Sequence, residues 1–335
     1  MFGRDDLIMV AASGKPTGAV EGEGKLRKIV LFLALALAPA NAFALDFPDW
    51  AFPVTDKNAP PVQDDGQPKH APGSSKAYTK AEIEDLYNPP DWYPDIHPPM
   101  PQVVAHGNGS TVRACAACHL PTGTGHDESA NLAGLPAAYL MEQMADYKSG
   151  ARSGSGTMTG IGKAITDDEV RAAAAYFASL KPRPWIRVVE SASVPKTFVG
   201  AGNKRLPAAD GGTEPIGARI IEIPEIPERV LNRDPGSGFV AYVPPGSVAK
   251  GEALATTGDG GKTVPCAICH GENYQGLGSV PGIAGRQATY VVRQLFDIQN
   301  NVRTGPSAAL MQQVVTKLSL DDMLALAAYM ASRAP

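Results

Sequence analysis

The strongest constraint in this 335-residue sequence is a C-x-x-C-H motif that occurs twice and accounts for all four cysteines. Only six histidines exist in the chain, and two of them stand directly behind the cysteine pairs. The fold must therefore present the same short Cys/Cys/His group at two places. The two groups are Cys115, Cys118 and His119, and Cys266, Cys269 and His270.

The two motifs belong to a longer internal repeat. Residues 131–152 match residues 282–303 at the same offset as the motifs, and after a slip of two positions 158–180 matches 311–333. We therefore predict two equivalent domains, at 101–181 and 246–335. The identical pairs in the first match are Ala133/Ala284, Gly134/Gly285, Tyr139/Tyr290, Gln143/Gln294, Asp146/Asp297 and Arg152/Arg303.

Each repeat predicts helices, and we expect an all-α fold. Thr166 to Glu169 is a capping box, in which a hydroxyl and a carboxylate satisfy free amides of a first helical turn. Ser319 to Asp322 is a looser, equally acidic version at the corresponding place. Apolar residues recur at helical spacing before these caps. The predicted helices are 101–106, 136–148 and one from 166, and 248–255, 287–300 and one from 319.

The N-terminus predicts export. A basic stretch from Lys25 to Lys28 precedes the ten apolar residues Ile29 to Ala38, and small-x-small cleavage sites follow. We expect a signal peptide at 25–44, cleaved after Ala44, and a periplasmic protein. An uncleaved anchor is the alternative, although the apolar run is too short to span a bilayer. Residues 1–24 fit no part of this design, and we interpret them as a start-site extension.

Two segments lie outside the repeat. Residues 45–100 hold eleven prolines and two of the three tryptophans, and they predict an irregular arm packed on the first repeat. Residues 182–245 predict an irregular central insert with one β-like run, Ala218–Ile223. A disordered linker is the alternative for the insert, but its Trp185, Phe198 and Phe239 favour packing.

The chemistry of the motif indicates a covalent cofactor. Two thiols three positions apart can form thioether bonds to the two vinyl groups of haem, and the next residue presents its imidazole to the iron. A four-cysteine zinc site normally has its pairs about 15–20 residues apart, and these pairs are far more widely separated. Disulfides are the other alternative in an exported protein. We predict two c-type haems, attached at the two motifs.

Methionine is the expected distal ligand of an electron-transfer haem. Most of the nine methionines are expected in apolar cores. Only Met158 and Met311 coincide in the repeat, each just before the last helix, and we assign both as iron ligands. Packing is the alternative role, more so for Met158, whose loop is rich in Gly, Ser and Thr.

The motifs, the shared Ala-Gly, Tyr, Gln, Asp and Arg positions, and the methionines resemble class I cytochromes c, above all the periplasmic di-haem cytochrome c4 type. This resemblance implies two tandem all-α domains, His–Met ligation and electron transfer. It also implies that the carbonyl of Pro281 accepts a hydrogen bond from the second-motif histidine. Ala130 stands at the equivalent place, so we expect a less restrained loop and unequal haem potentials. Arg152 and Arg303 match a family arginine that could pair with a propionate; a helix-end cation is the alternative.

Charge and hydropathy exclude other classes. A net charge of −4 without basic clusters argues against nucleic-acid binding, and no apolar run reaches the length of a membrane span. We expect a carrier between a dehydrogenase, oxidase or other cytochrome and a terminal acceptor, peripheral to a membrane respiratory complex at most. The alternative is a di-haem peroxidase or oxidase of small inorganic substrates, with His126 or Glu128 as acid or base.

Overall fold

The computed structural model describes residues 46–62 and 64–335, so the expected extension (1–24) and signal peptide (25–44) lie outside it. Within that part, no helix is both long and apolar enough to cross a membrane. The chain runs through the arm, the first repeat, the insert and the second repeat in that order.

The arm is short of regular structure but packed. Thr79 and Glu82 form a complete capping box at the start of its helix. Trp92 is buried with Ile83, and its Nε1 donates to the carbonyl of Asn232 in the insert at 2.9 Å. The arm is therefore hydrogen-bonded to the insert. Its elements are β1 (Lys69–His70), β2 (Ala77–Tyr78), α1 (Lys80–Glu84) and a 3-10 turn (Pro94–Ile96).

The first repeat is helical. Its last helix begins at the predicted cap, where Thr166 and Glu169 satisfy each other's amides. An apolar core forms where the first, middle and last helices meet. The helices are α2 (Gln102–Ala105), α3 (Ala116–His119), α4 (Ala137–Ser149), α5 (Gly156–Ala164) and α6 (Asp167–Ser179).

The insert contains β-sheet, contrary to the expectations of an irregular insert and of an all-α fold. Its central sheet has the order β3-β9-β8, with β3 parallel and β8 antiparallel to β9. Only one of these apolar runs stands out in the sequence, because each is short and pairs with a distant one. The elements are β3 (Ile186–Glu190), β4 (Ser193–Pro195), β5 (Thr197–Val199), a 3-10 turn (Ala201–Asn203), β6 (Arg205–Pro207), β7 (Thr213–Pro215), β8 (Ile221–Pro224), α7 (Pro227–Leu231) and β9 (Phe239–Val243).

The second repeat has the same helix order with a longer first helix. Gly251 lets this helix approach the last one closely, because a Cβ there would lie 2.0 Å from the carbonyl oxygen of Ala325. The insert sheet packs on the outer side of the repeat, where Ala241 and Val243 share an apolar cluster with Ala328. The helices are α8 (Ser247–Thr257), α9 (Ala267–His270), α10 (Ala288–Gln299), α11 (Pro306–Val315) and α12 (Leu320–Ser332).

Candidate functional site

The first motif forms a single helical turn. Cys115 is the N-cap of α3, and His119 is its last residue. Nδ1 of His119 lies 2.9 Å from the carbonyl oxygen of Ala130. A carbonyl only accepts, so Nδ1 carries the proton and Nε2 keeps a free lone pair. Burial lowers the pKa of His119, which keeps the imidazole in the neutral form that a metal requires.

The second motif repeats this arrangement. Cys266 is the N-cap of α9, which ends at His270. Nδ1 of His270 donates to the carbonyl of Pro281 at 2.8 Å, and burial again lowers the pKa of the imidazole. The acceptor is thus the residue implied by the family resemblance in both repeats, and alanine at 130 serves as well as proline for this bond.

The cysteines are free thiols. Burial raises the pKa of Cys115 to about 12 and that of Cys266 to about 11. Among the described residues, no group of three or more His, Cys, Asp or Glu side chains could hold a metal ion. Neither the zinc site nor the disulfides considered as alternatives are formed.

Met158 and Met311 lie on corresponding helices, α5 and α11. Met158 was expected in a loop, but Ser155 caps a nine-residue helix that includes it, accepting from the Met158 amide at 3.3 Å. Met311 packs on the apolar core of the second repeat, as does Cys266. Met158 is half-buried and is not part of the apolar cluster of the first repeat, against which Met144 packs.

The residues that identify the repeat meet each other at the contact between the repeats. Arg152 donates to Gln143 of its own repeat at 2.9 Å, and to Tyr290 and Gln294 of the other at 3.2 and 2.8 Å. Arg303 makes the mirror set, to Gln294 at 3.0 Å and to Tyr139 and Gln143 at 3.1 and 2.8 Å. The two sites are therefore related by an approximate twofold arrangement.

Both arginines of this network are buried, so neither is an exposed helix-end cation. Arg152 and Arg303 also pair through their backbones as a short antiparallel bridge. Nε of Arg303 is buried without a partner in the described part of the chain, which leaves a donor free for an anionic group.

Two glycines allow the repeats to approach each other. A Cβ at Gly154 would lie 2.5 Å from Oδ2 of Asp297, and one at Gly305 would lie 2.0 Å from Oδ2 of Asp146. Sequence reasoning missed this pair, although it has the same offset as the motifs. The signal was present, but only the contact explains why both positions lack a side chain.

The loop that carries Ala130 is held from the other repeat. Nε2 of Gln287 donates to the carbonyls of His126 and Ser129, each at 2.8 Å, and Arg286 donates to that of Asn131 at 2.7 Å. The sequence expectation of a less restrained loop is therefore wrong, because fully buried Gln287 replaces the missing proline as a restraint.

Comparison with known proteins agrees with this duplication. The family model described as "Cytochrome C oxidase, cbb3-type, subunit III" matches residues 102–177, and the model "Cytochrome c" matches residues 248–334. Cytochrome c-554(548) of Halomonas halodenitrificans is 36% identical over 69 residues, which are 20% of this chain and 83% of that protein. The chain belongs to the cytochrome c family.

Two longer cytochrome relatives match across both repeats. The thiosulfate dehydrogenase electron acceptor of Thiomonas intermedia is 27% identical over 225 residues, 66% of this chain and 78% of that protein. Cytochrome c4 of Pseudomonas aeruginosa is 27% identical over 220 residues, 64% of this chain and 81% of that protein. The chain thus resembles di-haem cytochromes, and its two cytochrome c domains carry two covalently bound c-type haems.

The residues present fit this cofactor. Each motif offers two free thiols for thioether bonds and an imidazole whose tautomer is fixed with Nε2 available. The buried, unpartnered Nε of Arg303 suits a propionate. His126 and Glu128, considered as catalytic groups in the enzyme alternative, lie in the loop between His119 and Ala130 that supports the histidine.

Proposed function

We propose that this cytochrome is a two-centre electron carrier, passing electrons between a dehydrogenase or respiratory complex and a terminal acceptor. The observation that carries the proposal is the reciprocal Arg152–Arg303 network, which joins the two repeats that carry the motifs through a shared buried contact. Such a fixed arrangement suits transfer between two centres. The name of one relative, an electron acceptor, supports the same role.

The first haem is proposed to bind at Cys115, Cys118 and His119, and the second at Cys266, Cys269 and His270. Met158 and Met311 are the proposed distal ligands. The haem iron would supply reversible one-electron chemistry. The cysteines would attach the haem through thioether bonds, and a histidine and a methionine would hold the iron, a pair that raises its potential. The protein's part is to fix each imidazole through a carbonyl bond and to exclude water by burial.

The domain limits 101–181 and 246–335, with the arm at 45–100 and the insert at 182–245, are part of the proposal. So is a periplasmic location after cleavage of the signal peptide at 25–44. The expected partners are redox proteins, and a net charge of −4 favours those with a basic surface.

The distal ligands can be tested by spectroscopy of the oxidised, purified protein. The long-wavelength absorption band from methionine to ferric iron should correspond to two ligated haems per chain. Met158→Ala and Met311→Ala should each remove half of the band, whereas Met144→Leu, a core substitution in the first repeat, should leave it intact. A wild-type band for one haem or none would contradict the assignment and lead to peroxide and small-anion assays for an enzyme.

A further inference from the structure

The two C-x-x-C-H segments differ in what covers them. Ile268 and Leu277 of the second segment are 66% and 63% exposed. Their counterparts at the repeat offset, Ala117 and His126, are 0% and 2% exposed. Cys269 is likewise exposed, whereas its counterpart in the first repeat is half-buried. The repeat therefore has one open and one closed motif.

The first motif is closed by the two segments that lie outside the repeat. The guanidinium of Arg233, in the insert, donates to the carbonyl of Ala117 inside the motif and to that of Ile83 in the arm. Just before the motif, the Ala114 amide donates to the carbonyl of Leu86 in the arm at 2.9 Å. Arg233 has a φ of 53°, a left-handed conformation that its two carbonyl partners stabilise.

The second motif has no such cover. In the described part of the chain, no hydrogen bond joins residues 264–280 to the arm or the insert. Thr263 donates to the carbonyl of Val314 at 2.8 Å, so the segment leading into the motif runs beside α11. Leu310, one turn earlier on that helix, is 78% exposed. We call Val264, Ile268, Leu277 and Leu310 the second-repeat face.

The charge around this face is low, with two unpaired carboxylates in the described part of the chain against one unpaired lysine, Lys317, whose Nζ donates to the carbonyl of Gly261 at 3.3 Å. Glu272 is the only Asp, Glu, Lys or Arg within 263–281, and residues 304–316 have none. Nearby Lys262 is occupied by an ion pair with Asp322 at 2.7 Å. Asp259 and Glu272 are exposed and have no ion-pair partner among the described residues. An apolar surface with an acidic rim matches a partner with an apolar centre and a basic rim.

We propose that the second-repeat face is the docking surface for the redox partner, and that the arm and insert close the corresponding face of the first repeat. The partner is a redox protein whose own exposed cofactor edge is apolar and ringed by lysine or arginine. The inference rests on the proposed function. A haem joined to Cys269 by a thioether has an edge at that sulfur, so an exposed Cys269 puts that edge within reach of a docked protein.

The test uses the full-chain holoprotein and a basic mitochondrial-type cytochrome c as the probe, with electron exchange followed by stopped-flow absorption. The double variant Leu277→Gln/Leu310→Gln should lower the second-order rate constant about tenfold. The matched control is Ile96→Gln/Ile226→Gln, which changes exposed apolar residues of the arm and insert, and it should leave the rate constant unaltered.

Two further experiments test the acidic residues at the rim of the second-repeat face and the contact between this face and the probe. Glu272→Lys should lower the rate constant at low ionic strength and flatten its salt dependence. Carbodiimide cross-linking followed by mass spectrometry should join lysines of the probe to Glu272 and Asp259. Cross-links confined to acidic residues of the arm, or an equal rate loss in the Ile96/Ile226 control, would overturn the assignment of the face.

A small diffusing reductant separates this inference from the proposed function. Suppose that the small reductant reduces the wild-type haems, but that the protein probe reacts at the same rate with wild type and with the Leu277→Gln/Leu310→Gln variant. The proposed docking surface is then wrong, and the proposed carrier role stands. If neither haem is reduced reversibly by the small reductant, the carrier role itself is refuted.

Discussion

The two repeats are alike where they face each other and unlike where they face outward. Arg152 and Arg303 make equivalent sets of three side-chain bonds, one within the repeat and two across the contact. On the outer side, Ala117 lies under the arm and insert, whereas Ile268 at the same motif position is exposed. Duplication thus supplied two equivalent sites, and the added segments made them inequivalent towards a partner.

The largest effect is expected at the contact between the repeats, where the two are alike. Arg152→Met and Arg303→Met should each destabilise the holoprotein by about 4 kcal/mol, because each removes three hydrogen bonds from a buried charged donor and leaves one tyrosine hydroxyl without its arginine, while the glutamines keep the other arginine. The two losses should agree within about 1 kcal/mol, since the bonds lost are equivalent. Guanidinium unfolding measures both.

Arg171→Met is the control for that pair. Arg171 is exposed on α6 and, within the described part of the chain, forms an ion pair only with neighbouring Asp168, so its loss should cost under about 0.5 kcal/mol. A large cost for one buried arginine and a small cost for the other would show that the approximate twofold relation does not extend to energetics.

Much of the helical part could be predicted from the sequence, because its signals are local. The caps at Thr166 and Ser319 mark the starts of α6 and α12, and both predicted boxes form. The C-x-x-C-H spacing likewise locates both motifs. The identical residues, by contrast, marked the repeat but gave no contacts, because reciprocal pairing across an interface depends on how two domains meet.

Contacts between residues distant in sequence could not be predicted either, because they also depend on how separate segments meet. Strands β3 and β9 pair although about fifty residues separate them, and each alone is a short apolar run. The role of Gln287 was equally hidden, since nothing near it in sequence shows that it restrains a loop 156 or more positions away. Cover of the first motif by Arg233 depends on the same long-range packing.

An intermediate effect on stability is expected from variants of the two capping boxes. Asp322 is fully buried, with Lys250 and Lys262 at 2.8 and 2.7 Å, whereas its counterpart Glu169 is only half-buried and has no ion-pair partner among the described residues. Burial alone would raise the pKa of Asp322, but the lysines and Ser319 outweigh it and hold the pKa below its usual value of 3.8. Asp322→Asn should cost about 2 kcal/mol at pH 7, and Glu169→Gln under about 0.5 kcal/mol.

The stability difference between wild type and Asp322→Asn should depend on pH. A lowered native pKa means that the stabilisation by Asp322 is complete above pH 3.8 and is lost as the pH falls through the native value. Wild type and Asp322→Asn should therefore converge in stability on acidification below that pH. Unfolding curves that stay parallel down to the most acidic pH at which the protein folds would contradict the ion-pair explanation.

The smallest effect concerns Ala130 and Pro281, whose carbonyls accept the hydrogen bonds from the two histidines. No backbone hydrogen bond from the Ala130 amide exists in the described structure, so Ala130→Pro is compatible with the fold on that count. It should stabilise the protein by about 0.5 kcal/mol, and Pro281→Ala should destabilise it by a similar amount. Thermal unfolding of both variants measures this.

The same variants test the cause of the expected difference between the two haem potentials. The sequence attributed the expected difference to the missing proline, but Gln287 already holds the loop, and the two histidine bonds differ by only 0.1 Å (2.9 and 2.8 Å). The difference in burial between the two motifs is the better cause, because a buried haem disfavours its more charged oxidised form. A spectroelectrochemical titration should show two steps whose separation is unchanged by Ala130→Pro. Merging of the two steps in that variant would restore the proline explanation.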